Sequence, residues 1–171
     1  MENTERPQPS AAVCLELRDY LNSYKPTSTA PLSCTALFEE WGAWAAGSGI
    51  QGYATGKKGS GRQFHLSDDA YVEVDQTISE VIEQQAARTS EAQAHREYRL
   101  FEMFYRQDMD CGDILSMIGR KRSYRVNYQT DYGKWTRGLN VSIVMWRIEL
   151  FGKLVYQRLQ ARVRGGSSAQ L

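Results

Sequence analysis

Clustered carboxylates, thiols and imidazoles build most active sites, and in this chain they are sparse or scattered. Asp108, Asp110 and Asp113 fall within one short stretch, and neighbouring carboxylates can hold a divalent ion for hydrolysis. Their spacing is not that of a calcium loop, which has a glycine at the sixth place and a distal glutamate. A helix start explains them more simply. Asp110 is the expected N-cap of a short helix holding Ile114, Leu115, Met117 and Ile118, with Gly119 ending it. Cys14, Cys34 and Cys111 lie far apart, no C-x-x-C occurs, and neither His65 nor His95 neighbours a cysteine. Neither a disulfide framework nor a zinc site is expected. Residues 47–61 hold six glycines, but Gly56, Gly59 and Gly61 lack the G-x-x-x-x-G-K-[ST] order and a preceding strand. The stretch reads as a flexible connector, with Lys57, Lys58 and Arg62 able to touch phosphate. With no Ser/His/Asp arrangement either, the chain reads as a non-enzyme with no metal and no cofactor.

One segment has a different character. Residues 120–138 carry six basic side chains (Arg120, Lys121, Arg122, Arg125, Lys134 and Arg137), a single acid, three tyrosines and a tryptophan. Guanidinium and ammonium groups meet phosphates, while aromatic rings pack on sugars or stack on bases. The next helix opens with Asn140, Ser142, Trp146 and Arg147, which include types that hydrogen-bond bases or phosphates. These ten residues are the candidate DNA contacts.

The elements that must position them are helical throughout, so the fold class is all-α. Val13, Leu17, Tyr20, Leu21 and Tyr24 recur at helical spacing over 11–24, and residues 26–31 break that helix between two prolines. Ser33 or Thr35 can cap a second helix through Ala46. It carries Leu37, Phe38, Trp41 and Trp44, and its small residues Gly42, Ala43, Ala45 and Ala46 would admit another element closely. The two indoles suit a core; the alternative is an aromatic anchor for a partner protein. Ser67-Asp-Asp starts a third helix, with Tyr71, Val74, Ile78, Val81 and Ile82 on its apolar side. Glu73, Gln76, Glu80, Glu83 and Gln84 are expected on a solvated acidic face. Ser90 can cap a fourth helix through about Gln107, with Ala94, Tyr98, Phe101, Phe104 and Tyr105 inward. The last helix starts after Asn140 and spans about 20 residues, with Val144, Ile148, Phe151, Val155 and Leu159 as its stripe. Gly152 in its middle points to close packing.

Residues 90–162 thus read as long helix, short helix, basic connection, long helix, the logic of a helix-turn-helix. The connection is longer than the three or four residues of a simple turn. It is either a basic insertion or holds a helix of its own around Tyr124 to Trp135, which could itself be the recognition element. The expected organisation is a tail and appended helix over 1–32, a helical domain over 33–164, and a disordered tail over 165–171.

Net charge divides the chain. Residues 1–110 carry 10 basic and 17 acidic side chains, residues 111–171 carry 11 and 3. The C-terminal part suits a polyanion; the acidic part suits a positively charged protein face. No apolar run is long enough for a membrane span and residues 1–10 have no signal-peptide core, so a cytoplasmic location is expected.

The block Leu37-Phe-Glu-Glu-Trp-Gly-Ala-Trp-Ala-Ala46, the glycine-rich stretch and the Asp68–Ile82 helix resemble the opening of one branch of the late-gene antitermination protein Q family of lambdoid phages. The resemblance covers about residues 37–161, and W-G-x-W at Trp41–Trp44 is its most specific part. It implies a fold like the promoter-reading, region 4 domain of sigma factors. It implies binding to a double-stranded DNA element at a late promoter, and loading onto host RNA polymerase paused there with sigma factor. The polymerase is then altered at its RNA exit channel, so that terminators are read through. Nascent RNA and a second copy of the protein on DNA are further implied partners, in an infected or lysogenic bacterium. Trp41, Trp44, Glu39 and Glu40 become the candidate polymerase contacts. The alternatives are a helix-turn-helix promoter regulator without antitermination activity, a structural protein binding DNA without sequence choice, and a metal-dependent nuclease using the three aspartates.

Overall fold

The computed structural model describes residues 8–23, 35–47, 64–121 and 130–168. Among these residues lie seven helices: α1 (Ala11–Ser23), α2 (Thr35–Gly47), α3 (Asp68–Arg88), α4 (Glu91–Tyr105), α5 (Cys111–Lys121), α6 (Asp131–Thr136) and α7 (Val141–Ser168). There is no strand among the described residues, and none of their helices is long and apolar enough to cross a membrane.

The first backbone N–H groups of a helix have no partner within it, and short polar side chains supply one. Ser67 Oγ accepts from the Ala70 N–H at 3.3 Å and Ser90 Oγ from Gln93 at 3.1 Å. Asp110 Oδ1 accepts from Asp113 at 2.7 Å, so this aspartate caps α5 as its position predicts. Thr130 and Asn140 cap α6 and α7 through the N–H groups of Gly133 and Ile143, at 3.1 and 2.9 Å.

Two helix ends differ from expectation. α5 passes through Gly119 to Lys121, and α7 continues through Gly165–Ser168, a stretch expected to be a disordered tail. In α7 the buried Arg162 and Val163 lie one turn earlier and anchor the end that would otherwise fray. Its 28 residues exceed the expected 20 for that reason.

α7 is the axis of the fold. Val144, Ile148, Phe151, Val155, Leu159 and Val163 are all buried, and the helix packs against α1, α3, α4 and α5. Gly152 is buried too. α1, expected as an appendage, shares this core through Cys14, Leu17 and Tyr20. α2 reaches α4 at Gly42, where a Cβ would lie 2.0 Å from the Tyr105 carbonyl oxygen. Glycine is required there by the close crossing, which agrees with the small-residue reading of that helix.

α3 presents only part of the solvated face assigned to it: Glu83 and Gln84 are exposed and Gln76 is half-buried, but Glu73 and Glu80 are buried. Glu73, Thr77 and Glu80 form a second buried stripe beside Tyr71, Val74, Ile78 and Val81. A helix packed against α1, α2, α4 and α7 is covered on more than one side.

Candidate nucleic-acid interface

The basic connection between α5 and α7 contains a helix of its own, α6, only six residues long. So short a helix has little intrinsic stability and depends on being pinned. Trp135 provides the pin. Its indole is buried, and its Nε1–H donates to Glu97 Oε1 of α4 at 2.9 Å. The guanidinium carbons of Arg96 and Arg147 each lie 5.8 Å from the ring centroid. Arg147 also forms an ion pair with Glu97. One carboxylate on α4 therefore holds α6 and α7 together.

From α6 the chain reaches α7 through only four residues, Arg137–Asn140. Gly138 has φ of 78°, a left-handed conformation that glycine adopts without a Cβ clash. The described part of the expected connection, from residue 130 on, thus holds a short helix and a tight glycine turn that lead into α7.

The candidate DNA contacts divide accordingly. Lys134, Arg137, Asn140 and Ser142 are exposed and lie together along α6, the turn and the first turn of α7. Asn140 already uses its Oδ1 as the α7 cap. Trp146 is 58% exposed. Arg147 is turned inward and committed to Glu97, so it is a structural residue of the site and not a free cation. Arg120 and Lys121 lie at the end of α5, but their side chains, together with all of Arg122 and Arg125, lie outside the described residues. So do Lys57, Lys58 and Arg62 of the glycine-rich stretch.

Part of the charge division is neutralised internally. Arg162, 4% exposed, forms ion pairs with both Glu73 and Glu80, and Arg158 Nε donates to Glu80 Oε2 at 2.8 Å. Burial pushes the Glu73 carboxyl above its ordinary range, against the opposing pull of Arg162. The spacing holds a clue: Glu73 and Glu80 are two turns apart on α3, Arg158 and Arg162 one turn apart on α7. Such stripes can mate across a helix pair, but charge alone suggests solvent.

The candidate polymerase contacts are mostly internal. Trp41 is 1% exposed, with its Nε1–H directed at Asp75 Oδ1 at 3.3 Å. Glu40 is buried and accepts from the Tyr20 hydroxyl at 2.5 Å, the Tyr71 hydroxyl at 2.8 Å and the His65 N–H at 3.0 Å. It ties α1, α2 and α3 together, and burial with this hydrogen bond raises the Tyr71 phenol well above its usual range. Trp44 is half-buried, stacked on Tyr71 at 5.6 Å, and donates to Asp68 Oδ1 at 3.1 Å. Glu39 is half-buried. Only Trp44 and Glu39 of the four keep an accessible surface.

A cleft of about 180 Å³ lies between α4, α5 and α6, floored by Leu100, Met103, Met117 and Ile118 and walled by Trp135, with Arg96 and Arg99 also lining it. Among the described residues no cluster of histidine, cysteine and carboxylate side chains has the arrangement of a metal site. Sequence reasoning misses Glu97 and Trp135 as the clamp of the interface. The signal is present only as aromatic and acidic residues far apart in the chain, which no periodicity connects.

No family model, no curated protein and no solved structure matches this chain.

Proposed function

We propose that the C-terminal half of this protein binds duplex DNA and that the protein is a non-enzymatic transcription regulator of the late-gene antitermination type. The observation that carries the reading is the exposed run Lys134, Arg137, Asn140 and Ser142 across a helix, a glycine turn and the start of a long helix. Two helices joined by three or four residues, often with a glycine, are the frame in which DNA-reading helices are set. Here the second helix is rooted in the core along most of its length. Its first turn is therefore a rigid support for base or phosphate contacts, with Lys134 and Arg137 placed for the backbone. The basic residues Arg120, Lys121, Arg122 and Arg125 extend the same segment.

Antitermination and polymerase engagement rest on the resemblance centred on Trp41–Trp44. With Trp41 and Glu40 internal, the polymerase-facing surface reduces to Trp44, Glu39 and the acids Asp68 and Asp69 at the start of α3. The test is purified transcription with bacterial RNA polymerase on a template carrying the DNA element the protein selects, followed by a terminator. Antitermination predicts read-through by complexes that engaged the protein near the promoter. Normal termination with altered initiation indicates a promoter regulator. Equal affinity for unrelated duplexes and no effect on transcription indicate a structural DNA-binding protein.

A further inference from the structure

The cleft between α4, α5 and α6 has no part in the contacts assigned to DNA. Arg96, Arg99, Leu100 and Met103 share one face of α4, being three and four residues apart. Met117 and Ile118 of α5 and Trp135 of α6 line it from the other sides, and no acid is among its lining residues. Its two cations differ. Arg99 is engaged by Glu102, which also takes Arg106. The half-buried Arg96 donates from Nη2 to Gln93 Oε1 at 3.1 Å, but its Nε is buried with no hydrogen-bond partner among the described residues. A buried donor left unpaired is costly, and an acceptor brought to it is favoured.

A concave, mostly apolar lining with one or two placed polar groups is the usual form of a small-molecule site. A dry apolar cavity of roughly 150 Å³ holds benzene, so the 180 Å³ of this cleft suits one ring with a short substituent. The lining favours a ring over an alkyl chain. Trp135 offers an indole, and Met103 and Met117 offer thioethers, both of which gain from aromatic contact. Arg96 selects the substituent, because a guanidinium matches a carboxylate in charge and in its two acceptor oxygens. A nucleobase fits worse, since its polar edge would lie unpaired against Leu100, Met103 and Ile118.

We propose that this cleft binds a small aromatic monocarboxylate, its ring against Trp135 and the two methionines and its carboxylate on Arg96, and that the ligand fastens α6 to α4 and α5. A molecule that touches all three helices binds only while α6 is docked, so binding stabilises the docked state by mass action. It adds to the hold that Trp135 has on Glu97. α6 spans six residues and carries Lys134 outward. In one respect the proposal rests on the DNA-binding reading: where α6 serves DNA, the same ligand is an effector of that surface, and DNA in turn tightens its binding.

The test leaves DNA out, so its failure does not touch DNA binding, and a failure of DNA binding does not touch the site. In a saturation-transfer NMR titration of the full-length protein, phenylacetate should bind saturably with a dissociation constant of about 1 mM or tighter. Acetate, which lacks the ring, should not bind, and neutral 2-phenylethanol should bind more weakly. Arg96→Gln should weaken phenylacetate by about tenfold or more and leave 2-phenylethanol unchanged. Met117→Trp, which fills the cleft from its half-buried side, should abolish the binding of both. Saturating phenylacetate should also slow hydrogen exchange in the peptide that carries α6 more than in α1. Absence of saturable binding, equal loss of the two ligands in Arg96→Gln, binding that survives Met117→Trp, or α6 exchange that ignores the ligand would overturn the inference. Circular dichroism of each variant shows that the fold is intact.

Discussion

Arg162 sits where a cation is costly unless paired. Ion pairs to Glu73 and Glu80 offset the cost of its burial, and removing it strands Glu73 and leaves Glu80 with Arg158 alone. Breaking a buried pair in this way typically costs about 3–5 kcal/mol. Arg162→Met is therefore expected to lower the chemical-denaturation midpoint steeply, while the triple replacement Glu73→Leu, Glu80→Met, Arg162→Met recovers most of the stability. Glu73 also sets a pH dependence. Its pKa is raised in the fold, so the folded chain holds this proton more tightly than the unfolded one. The contribution of this site then grows as pH falls through the folded value toward the ordinary 4.5. Glu73→Gln removes that gain, and its stability should decline more steeply on acidification than that of the parent. A parallel decline in the two proteins would contradict the shift. Among the thiols, Cys14 is buried with its pKa raised by desolvation. It should resist alkylation in the native state and react only on unfolding, as read by mass spectrometry.

At the scale of elements, the helices with strong apolar periodicity are legible in the sequence. Ser67, Ser90 and Asp110 announce three starts, and the Val144–Leu159 stripe announces α7. α6 is legible only as one of two alternatives, a helix around Tyr124 to Trp135, and not by its bounds, because six residues carry no periodicity; its stability comes from Trp135 and Glu97 across the chain. The second buried stripe of α3 is hidden because its members are charged, and only their partners on α7 make their burial tolerable. Gly42 makes a sharper case. Its importance is readable as a small residue between two tryptophans, but the backbone it meets, the Tyr105 carbonyl, is not. A carbonyl cannot move aside as a side-chain end can. Gly42→Ala should cost about 3 kcal/mol or more, at or above the upper end of ordinary overpacking, measured by urea denaturation. A change under about 0.5 kcal/mol, within the range of ordinary surface substitutions, would show that α2 slides freely on α4.

For the whole molecule, the division into an acidic and a basic half is plain from residue counts, but its meaning changes with the fold. Arg147, Arg158 and Arg162 of the basic half are joined to Glu97, Glu80 and Glu73 of the acidic half. The asymmetry partly holds the bundle together, while Lys134 and Arg137 just before α7 stay exposed, as do Lys153 and Arg164 further along it. The candidate site is thus readable as a segment, 120–147, while the choice of outward residues within it requires the packing of Trp135 and Arg147. Arg147→Ala should accordingly act on stability through Glu97 and Trp135. The exposed pair Lys134 and Arg137 should act on DNA, with little change in melting temperature. Fluorescence anisotropy of a labelled duplex, titrated with the protein over a range of salt concentrations, separates these roles. The Lys134→Ala, Arg137→Ala double variant should bind more weakly, and its slope of log K against log salt should fall by roughly 0.9 for each phosphate that is no longer neutralised, up to about 2. An unchanged affinity and slope in a folded double variant would contradict a DNA interface built on α6, the glycine turn and the start of α7.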